Sequence, residues 1–586
     1  MKKLLFTRYS FIGFLFTIFG IVIFLWMARI QVGVHKVQAA APEDEGSLYT
    51  TEILNVERGN IYDRWGKLLA GNKVVYELSV NLDVVQNQDT LDKELKRILG
   101  IDYYGVINSI DIIKYRYITL TDFVTPAQIA EIEEAIRKHR NYVPEKKSKE
   151  PLPSMSGLEW TPHLVRTYPE NTLASNVLGF YAYKDRSGGG PHFGIEEKYD
   201  DILKGTPIKL TYSSSNTPVQ SYSAAGASLV LTIDREIQAM VEGILDGAIE
   251  TTQSVGGTII VMDPKNGEVL AMAISPRMNP NEYWKPIETS NGHSFNRAVD
   301  YTYETGSVFK VFTMAAAIDT GMVQPTTTFI DTGSFEIGGI VIKNWDSNAW
   351  GQQDMIGCMR NSLNVCLANL ANELGPTTFY DYIKRFGLNQ PTNIDLAGEL
   401  TWPVHFPDSP FWGLANLGTN SFGQAIASTP IQMITGISAL ANDGKIMAPH
   451  VVKTMIKNGE KFDIPVQLVA TPISAETART MTEMLTISVQ DEAFFSDLPG
   501  YLYAGKTGTG EIATEFGYTT SETNASFVGW GPVDDPRYII YVWLERPKTA
   551  IWGSVVAAPL FRDVMKELVV YLNIPPDQTR QMLLTQ

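Results

Sequence analysis

Residues 11–28 (FIGFLFTIFGIVIFLWMA) run for 18 positions without a charge, apolar on every helical face. At ~1.5 Å per residue the run nearly crosses a hydrocarbon core of ~30 Å, and flanking residues supply the rest. Lys2, Lys3 and Arg8 precede it and Trp26 lies near its far end. The excess of positive charge on the N-terminal side predicts a cytoplasmic N-terminus and an exported remainder. A cleaved signal peptide is the competing reading, because Ala39-Ala40-Ala41 resembles a small-residue cleavage site. Signal peptides carry apolar stretches of only ~7–15 residues, which favours an uncleaved anchor. In either case the folded chain works outside the cytoplasm.

Beyond this run the chain is globular in composition. At roughly 100–200 residues per domain, 586 residues imply several folded units. The 64 acidic against 48 basic side chains give a net charge of −16, which argues against a nucleic-acid partner. Cys358 and Cys366 are the only cysteines, too few for a disulfide framework or a Cys-rich zinc module. The seven histidines form no HExxH and no cluster at ligand spacing, so neither a metal nor a cofactor is expected. If Cys358 and Cys366 belong to one helix they are ~12 Å apart, which favours free thiols; a break near Ser362 would bring them closer.

Polar breaks at 146–150, 187–190 and 213–223 divide the chain, and the last reads as a boundary or exposed loop. Beyond it, 227–233 predicts a strand and 234–250 a helix capped by Asp234. Residues 258–262 and 268–273, around DPKNG, predict a hairpin, and 525–530 with 538–544 predict a second strand pair. An amphipathic stretch at 557–572 predicts a closing helix. Strands at both ends with helices between them indicate an α+β fold rather than a regular parallel array.

Three short motifs carry the chemistry: Ser307-Val-Phe-Lys310, Ser362-Leu-Asn364 and Lys506-Thr-Gly508. The Ser-x-Asn pattern recurs at Ser79, Ser214 and Ser294, so Ser362 is selected by its order between the other two motifs. A helix from about Thr305 to Asp319 puts positions 307 and 310 on one face, within reach of each other. Its first turn offers backbone N–H groups to a developing oxyanion. Lys310 must be neutral to accept the Ser307 proton, and burial with a second cation nearby favours the neutral amine. Lys506 is the natural second cation and a candidate for binding a substrate carboxylate. Ser362 can pass a proton to a departing amine, and Asn364 can hold a peptide amide.

The motif set and its order resemble those of penicillin-binding proteins. The segments at 58–70 (RGNIYDRWGKLLA), 166–180 (RTYPENTLASNVLGF) and 194–205 (GIEEKYDDILKG) are similar to the N-terminal module of the class B members. So are 231–238, 262–273, 296–310, 421–433 and 525–532 to the catalytic module. The resemblance implies a monofunctional D,D-transpeptidase that cross-links peptidoglycan. It would comprise a cytoplasmic N-terminus (1–10), an anchor (11–30), a linker (31–47), a pedestal or dimerisation-like module (48–225), a transpeptidase domain (226–575) and a tail (576–586). The implied fold is an antiparallel sheet sandwiched by helices.

By the same resemblance Ser307 is the acylated nucleophile, Lys310 its base, and Ser362 with Asn364 the second motif. Lys506, Thr507, Gly508 and Thr509 would lie on the strand edging the cleft, and the backbone N–H groups of Ser307 and Thr509 would form the oxyanion hole. Implied partners are stem peptides, the lipid-linked precursor polymer, β-lactams, the membrane, a SEDS-family glycosyltransferase and other division or elongation proteins. The expected location is the bacterial inner membrane, with one span and an extracytoplasmic catalytic domain. The wording around Asn296 and Tyr303 leans to the septal branch; an elongation enzyme and a non-catalytic scaffold are the alternatives. Thr305, where the septal branch usually has proline, and Cys366, where a small residue is usual, are departures expected to leave activity in place with altered drug or substrate preference. Trp402, Phe406, Phe411 and Trp412 are expected to pack within a long loop.

Overall fold

The computed structural model of the protein describes residues 50–54 and 57–584, apart from 111–114, 144–150, 184–188, 207, 213–224, 286–293, 493–495 and 515–516. The apolar run at 11–28, the linker and the polar tract at 213–223 lie outside the described residues. No helix among the described residues is long and apolar enough to cross a membrane.

The chain divides into two units. One contains the antiparallel pair Thr50–Leu54 and Ile208–Tyr212, with Thr50 opposite Tyr212. The other holds residues 56–206 and 224–586.

Within the second unit, five antiparallel strands form a sheet in the order Val269–Ser275, Gly256–Met262, Tyr538–Glu545, Gly517–Gly531, Ala504–Thr514. Gly256–Met262 and Tyr538–Glu545 are buried along their whole length, which is why they read as unbroken apolar runs instead of alternating ones. Alternate residues feed two cores. Ile259, Val261, Ile540 and Val542 meet helices Arg235–Thr252 and Ala558–Tyr571 on one face. Ile260, Met262, Tyr541 and Trp543 meet helices Lys310–Asp319 and Pro430–Ile437 on the other. The sheet between two helical layers is therefore the architecture expected from sequence. Asp234 starts the first helix by accepting from the Glu236 and Ile237 amides, as predicted, and also accepts from Trp65 Nε1 at 2.7 Å.

A second, mixed sheet joins Glu460–Asp463, Val452–Lys457, Ser228–Leu231, Ile61–Tyr62, Leu68–Asn81 and Tyr117–Val124, and Leu158–Thr167 also pairs with Leu68–Asn81. Ile61–Tyr62 runs parallel to Ser228–Leu231, so segments on both sides of position 225 share one sheet. Helix Pro126–Arg140 begins with a Thr125/Gln128 capping box and proline at its first position, and buries Ile129, Ile132 and Ala135.

The three N-terminal segments singled out in the sequence meet at one buried centre. Glu196 accepts from Arg58 Nε at 2.8 Å, from Arg166 Nε at 2.6 Å and from Tyr168 Oη at 3.2 Å. Arg166 also donates to the Gly59 carbonyl and Arg58 to Asp200. Desolvation pushes the Glu196 carboxyl up, but attraction to Arg166 and Arg58 and their hydrogen bonds outweigh it, so its pKa is lowered.

The loop aromatics divide. Phe406 and Trp412 pack against the core, Trp412 Nε1 donating to Tyr380 Oη at 2.9 Å, as expected. Trp402 and Phe411 instead remain exposed, 51% and 76%, which corrects the expectation that all four pack.

Candidate active site

The turn bearing Ser307 is fixed by glycines. Gly306–Phe309 is a 3₁₀ turn leading into the α-helix Lys310–Asp319, where the sequence predicts one continuous helix from about Thr305. Gly306 has φ 58°, outside the helical region, so a tighter turn makes the entry. A Cβ on Gly306 would lie 2.5 Å from the Thr509 carbonyl oxygen, and one on Gly423 2.3 Å from that of Gly306. The Gly306 amide donates to the Gly423 carbonyl at 3.1 Å. The Ser421-Phe-Gly423 segment therefore supports the serine turn from behind. Ser307 is partly exposed, while Lys310 and the helix through Ala317 are buried. Thr305 is buried, and its hydroxyl has no hydrogen-bond partner among the described residues.

Ser362 sits in a break between helices Met355–Arg360 and Asn364–Arg385, with φ 51°, a strained value for a residue other than glycine. Lys310 Nζ donates to the Ser362 carbonyl at 2.7 Å and to its Oγ at 3.1 Å. Lys506 Nζ donates to the same Oγ at 3.2 Å. Asn364 lines the cleft and donates to the Lys343 carbonyl at 3.0 Å.

The same break corrects the expectation of free thiols. Cys358 and Cys366 form a disulfide with a Cα–Cα distance of 6.1 Å. One continuous helix would hold them ~12 Å apart, but the chain reverses at Ser362 and brings the two helix ends together.

The third motif lies on the edge strand Ala504–Thr514. Thr507, Thr509 and Glu511, alternate residues of one face, line the cleft. Lys506, Gly508 and Gly510 have the other parity. A Cβ on Gly508 would lie 2.3 Å from Ser526 Oγ and 2.5 Å from Val308, and one on Gly510 2.1 Å from the Glu304 carbonyl. Glycine at both positions lets this strand lie against the Ser307 turn. Lys506 is completely buried behind the cleft wall; it reaches Ser362 and also donates to the Thr507 carbonyl and hydroxyl, each at 3.3 Å. Thr509 Oγ1 accepts from the Gly553 amide at 3.1 Å.

The resulting cleft has a volume of about 1000 Å³ and brings together Ser307, Ser362, Asn364, Thr507 and Thr509. Sequence reasoning missed several of its other walls. Trp345 and Trp552 pack edge to face in its lining, ring centroids 5.6 Å apart, and Glu511, Gln424 and Tyr518 line it as well. Glu511 was accessible from strand parity, two positions beyond Thr509; the tryptophans had no local signal.

A nucleophilic serine, two lysines meeting at a second serine, and a strand edge able to bind an extended peptide suit acyl transfer. Comparison with known proteins gives the same result. Residues 257–566 match the penicillin binding protein transpeptidase domain, and residues 53–217 match the penicillin-binding protein dimerisation domain.

The chain belongs to the penicillin-binding protein transpeptidases.

Stage V sporulation protein D of Bacillus subtilis is 30% identical over 89% of this chain and 79% of its own length. A peptidoglycan D,D-transpeptidase FtsI homolog of Mesostigma viride is 27% identical over 72% of this chain and 75% of its own. The crystal structure of penicillin binding protein 3 from Mycobacterium tuberculosis, complexed with aztreonam, superimposes with a TM-score of 0.67 at 25% identity, covering 90% of this chain and 98% of that one. The penicillin-binding protein described here is thus a class B, serine-type peptidoglycan D,D-transpeptidase.

Proposed function

We propose that Ser307 attacks the penultimate carbonyl of a stem peptide ending in D-Ala-D-Ala, and that the arrangement around Ser362 moves the protons. The observation that carries this reading is the convergence of Lys310 Nζ and Lys506 Nζ on Ser362 Oγ. In the first step Ser307 Oγ loses its proton to neutral Lys310 as the C–O bond forms. Ser362 relays a proton to the departing nitrogen, the C–N bond breaks and D-alanine leaves. In the second step an amine of a neighbouring stem attacks the ester, an amide forms and Ser307 recovers its proton. Thr507 and Thr509 line the cleft where the terminal carboxylate would lie, with Lys506 supplying positive charge from behind Thr507. The Ser307 and Thr509 amides are the oxyanion donors in this reading, Gly508 gives the strand its close approach, and Asn364 contacts the peptide backbone.

β-Lactams acylate the same serine, a reading supported by the likeness to a protein crystallised with aztreonam. Labelled-penicillin acylation of the full chain tests the assignment. Wild type should be labelled and Ser307→Ala should not; equal labelling, or an unlabelled wild type, would overturn it.

The reading extends to a single-span protein of the bacterial inner membrane, with 48–225 as pedestal, 226–575 as catalytic domain, and a SEDS-family glycosyltransferase supplying the precursor polymer. The uncharged run at 11–28 supports the anchor. The Cys358–Cys366 disulfide independently supports an oxidising, extracytoplasmic setting. Septal duty is favoured by the wording of 296–307 and predicts filaments on depletion; rounded cells would mark an elongation enzyme instead.

A further inference from the structure

Glu511 is the only acidic side chain among the described residues that line the cleft, whose other charged members, Lys343 and Arg360, are cations. It lies on the strand face of Thr507 and Thr509, about 7 Å beyond Thr509 at ~3.3 Å per residue. Gln424 Nε2 holds its carboxylate at 2.8 Å, and no described cation forms an ion pair with it. The strand register shifts immediately after Glu511, between it and Ile512, a local irregularity of the kind that re-aims side chains at functional sites. A second carboxylate, Glu304, is nearby, but it lies in a different setting. Burial pushes its pKa up, and Tyr518 Oη donates to both its oxygens, at 3.1 and 2.9 Å. Glu511 is thus the carboxylate presented to the cleft.

The transfer reaction has one anionic and one cationic substrate. The donor ends in a carboxylate, which the lysine end of the cleft favours. The acceptor is a primary amine, which is an ammonium in water at neutral pH, and the same lysines repel it. We propose that Glu511 is the specificity residue that docks the acceptor ammonium, so that donor and acceptor are sorted to opposite ends of one polar cleft. This rests on Ser307 forming the acyl-enzyme. The docked ammonium gives one proton to solvent and so leaves the carboxylate, and the neutral nitrogen advances along the cleft to Ser307 and attacks the ester. The C–N bond forms as the C–O bond to Ser307 breaks, and the second nitrogen proton passes to Ser307 Oγ. Glu511 ends the cycle unchanged.

The test uses the full chain in detergent, a soluble thioester mimic of the donor, and two acceptors, D-alaninamide as a cation and hydroxylamine as a nucleophile uncharged at neutral pH. Both acceptors compete with water for the same acyl-enzyme, so the aminolysis-to-hydrolysis ratio is internally controlled. In Glu511→Gln the ratio for D-alaninamide should fall about tenfold, the size expected for one partly solvated charge pair, while that for hydroxylamine stays within about twofold. Glu511→Asp should restore most of the loss. An unchanged D-alaninamide ratio, or an equal fall for both acceptors, would overturn the proposal. If the Gln variant does not fold, salt titration of the wild type decides: D-alaninamide transfer should weaken with ionic strength and hydroxylamine transfer should not, and equal responses would overturn it. A wild type that never acylates counts against the Ser307 reading rather than this one.

Discussion

Two buried pairs of cationic side chains, built from distant segments, differ in what they converge on. Arg58 and Arg166 meet at the carboxylate of Glu196. Lys310 and Lys506 meet at the hydroxyl of Ser362. The first pair has its two charges answered by Glu196 between them and by Asp200 beside Arg58, and its bonds tie residues 58, 166, 196 and 200 together. The second pair shares an oxygen that can both accept and donate a proton. Charge balance suits a joint; protons that can move suit catalysis.

Exchanging each centre for a neutral isostere should separate these roles. Lys310→Met keeps the volume and removes the base, so penicillin acylation should slow by about 10³-fold or more, while stability holds within ~1.5 kcal/mol. A wild-type acylation rate would break the comparison at its functional end. Glu196→Gln leaves two guanidinium groups facing an amide and should cost about 3–5 kcal/mol in denaturant unfolding, as breaking a buried pair does. The folded fraction should still acylate at close to the wild-type rate. A catalytic loss without a stability loss would show that the two centres are not distinct in the way their geometry indicates.

The disulfide sharpens the contrast on a smaller scale, because it braces the Ser362 turn covalently. Replacing Cys358 and Cys366 together by alanine should lower stability by about 2–3 kcal/mol, the loop-closure value for so short a ring, measured by denaturant midpoint under non-reducing conditions. No change would mean that packing alone holds the turn, since Cys358 and Cys366 are both completely buried.

How much of this was legible depends on the range of the interaction. The paired core strands, the Asp234 cap and the closing helix follow from local patterning, and their bounds hold to within a few residues except at the strand predicted over 525–530, which begins eight residues earlier, at Gly517. The Ser307, Ser362 and Lys506 motifs could be ordered by sequence, but their meeting at one oxygen is a long-range fact. Sequence left two outcomes for the cysteines, free thiols on one helix or a closer approach across a break near Ser362; the break is what forms, and the left-handed backbone of Ser362 that makes it has no marker in a serine-leucine-asparagine string. Lys506 lies behind the cleft wall because its strand parity opposes that of Thr507 and Thr509, a consequence visible once the strand is given but not while the motif is treated as a unit.

Acid titration separates the two centres by the smallest effect. The Glu196 carboxyl is lowered in the fold, since Arg166 and Arg58 outweigh the desolvation that would raise it. A carboxyl lowered on folding stabilises the protein fully above its ordinary value of 4.5 and loses that contribution as pH falls through the folded value. Glu242, Asp263 and Asp395 are raised by burial and act in the opposite sense, so total stability mixes the two signs. The difference between wild type and Glu196→Gln isolates the contribution of the Arg58–Glu196–Arg166 centre. That gap should be constant from neutral pH down to about pH 5 and narrow below 4.5, because protonated Glu196 and glutamine are then alike in charge. Lys310→Met should show no such narrowing relative to wild type over the same range, since no carboxylate charge is removed. A gap for Glu196→Gln that widens on acidification would mean that the two arginines do not hold the carboxylate ionised, and the division between a charge-balanced joint and a proton-handling site would fail at its structural end.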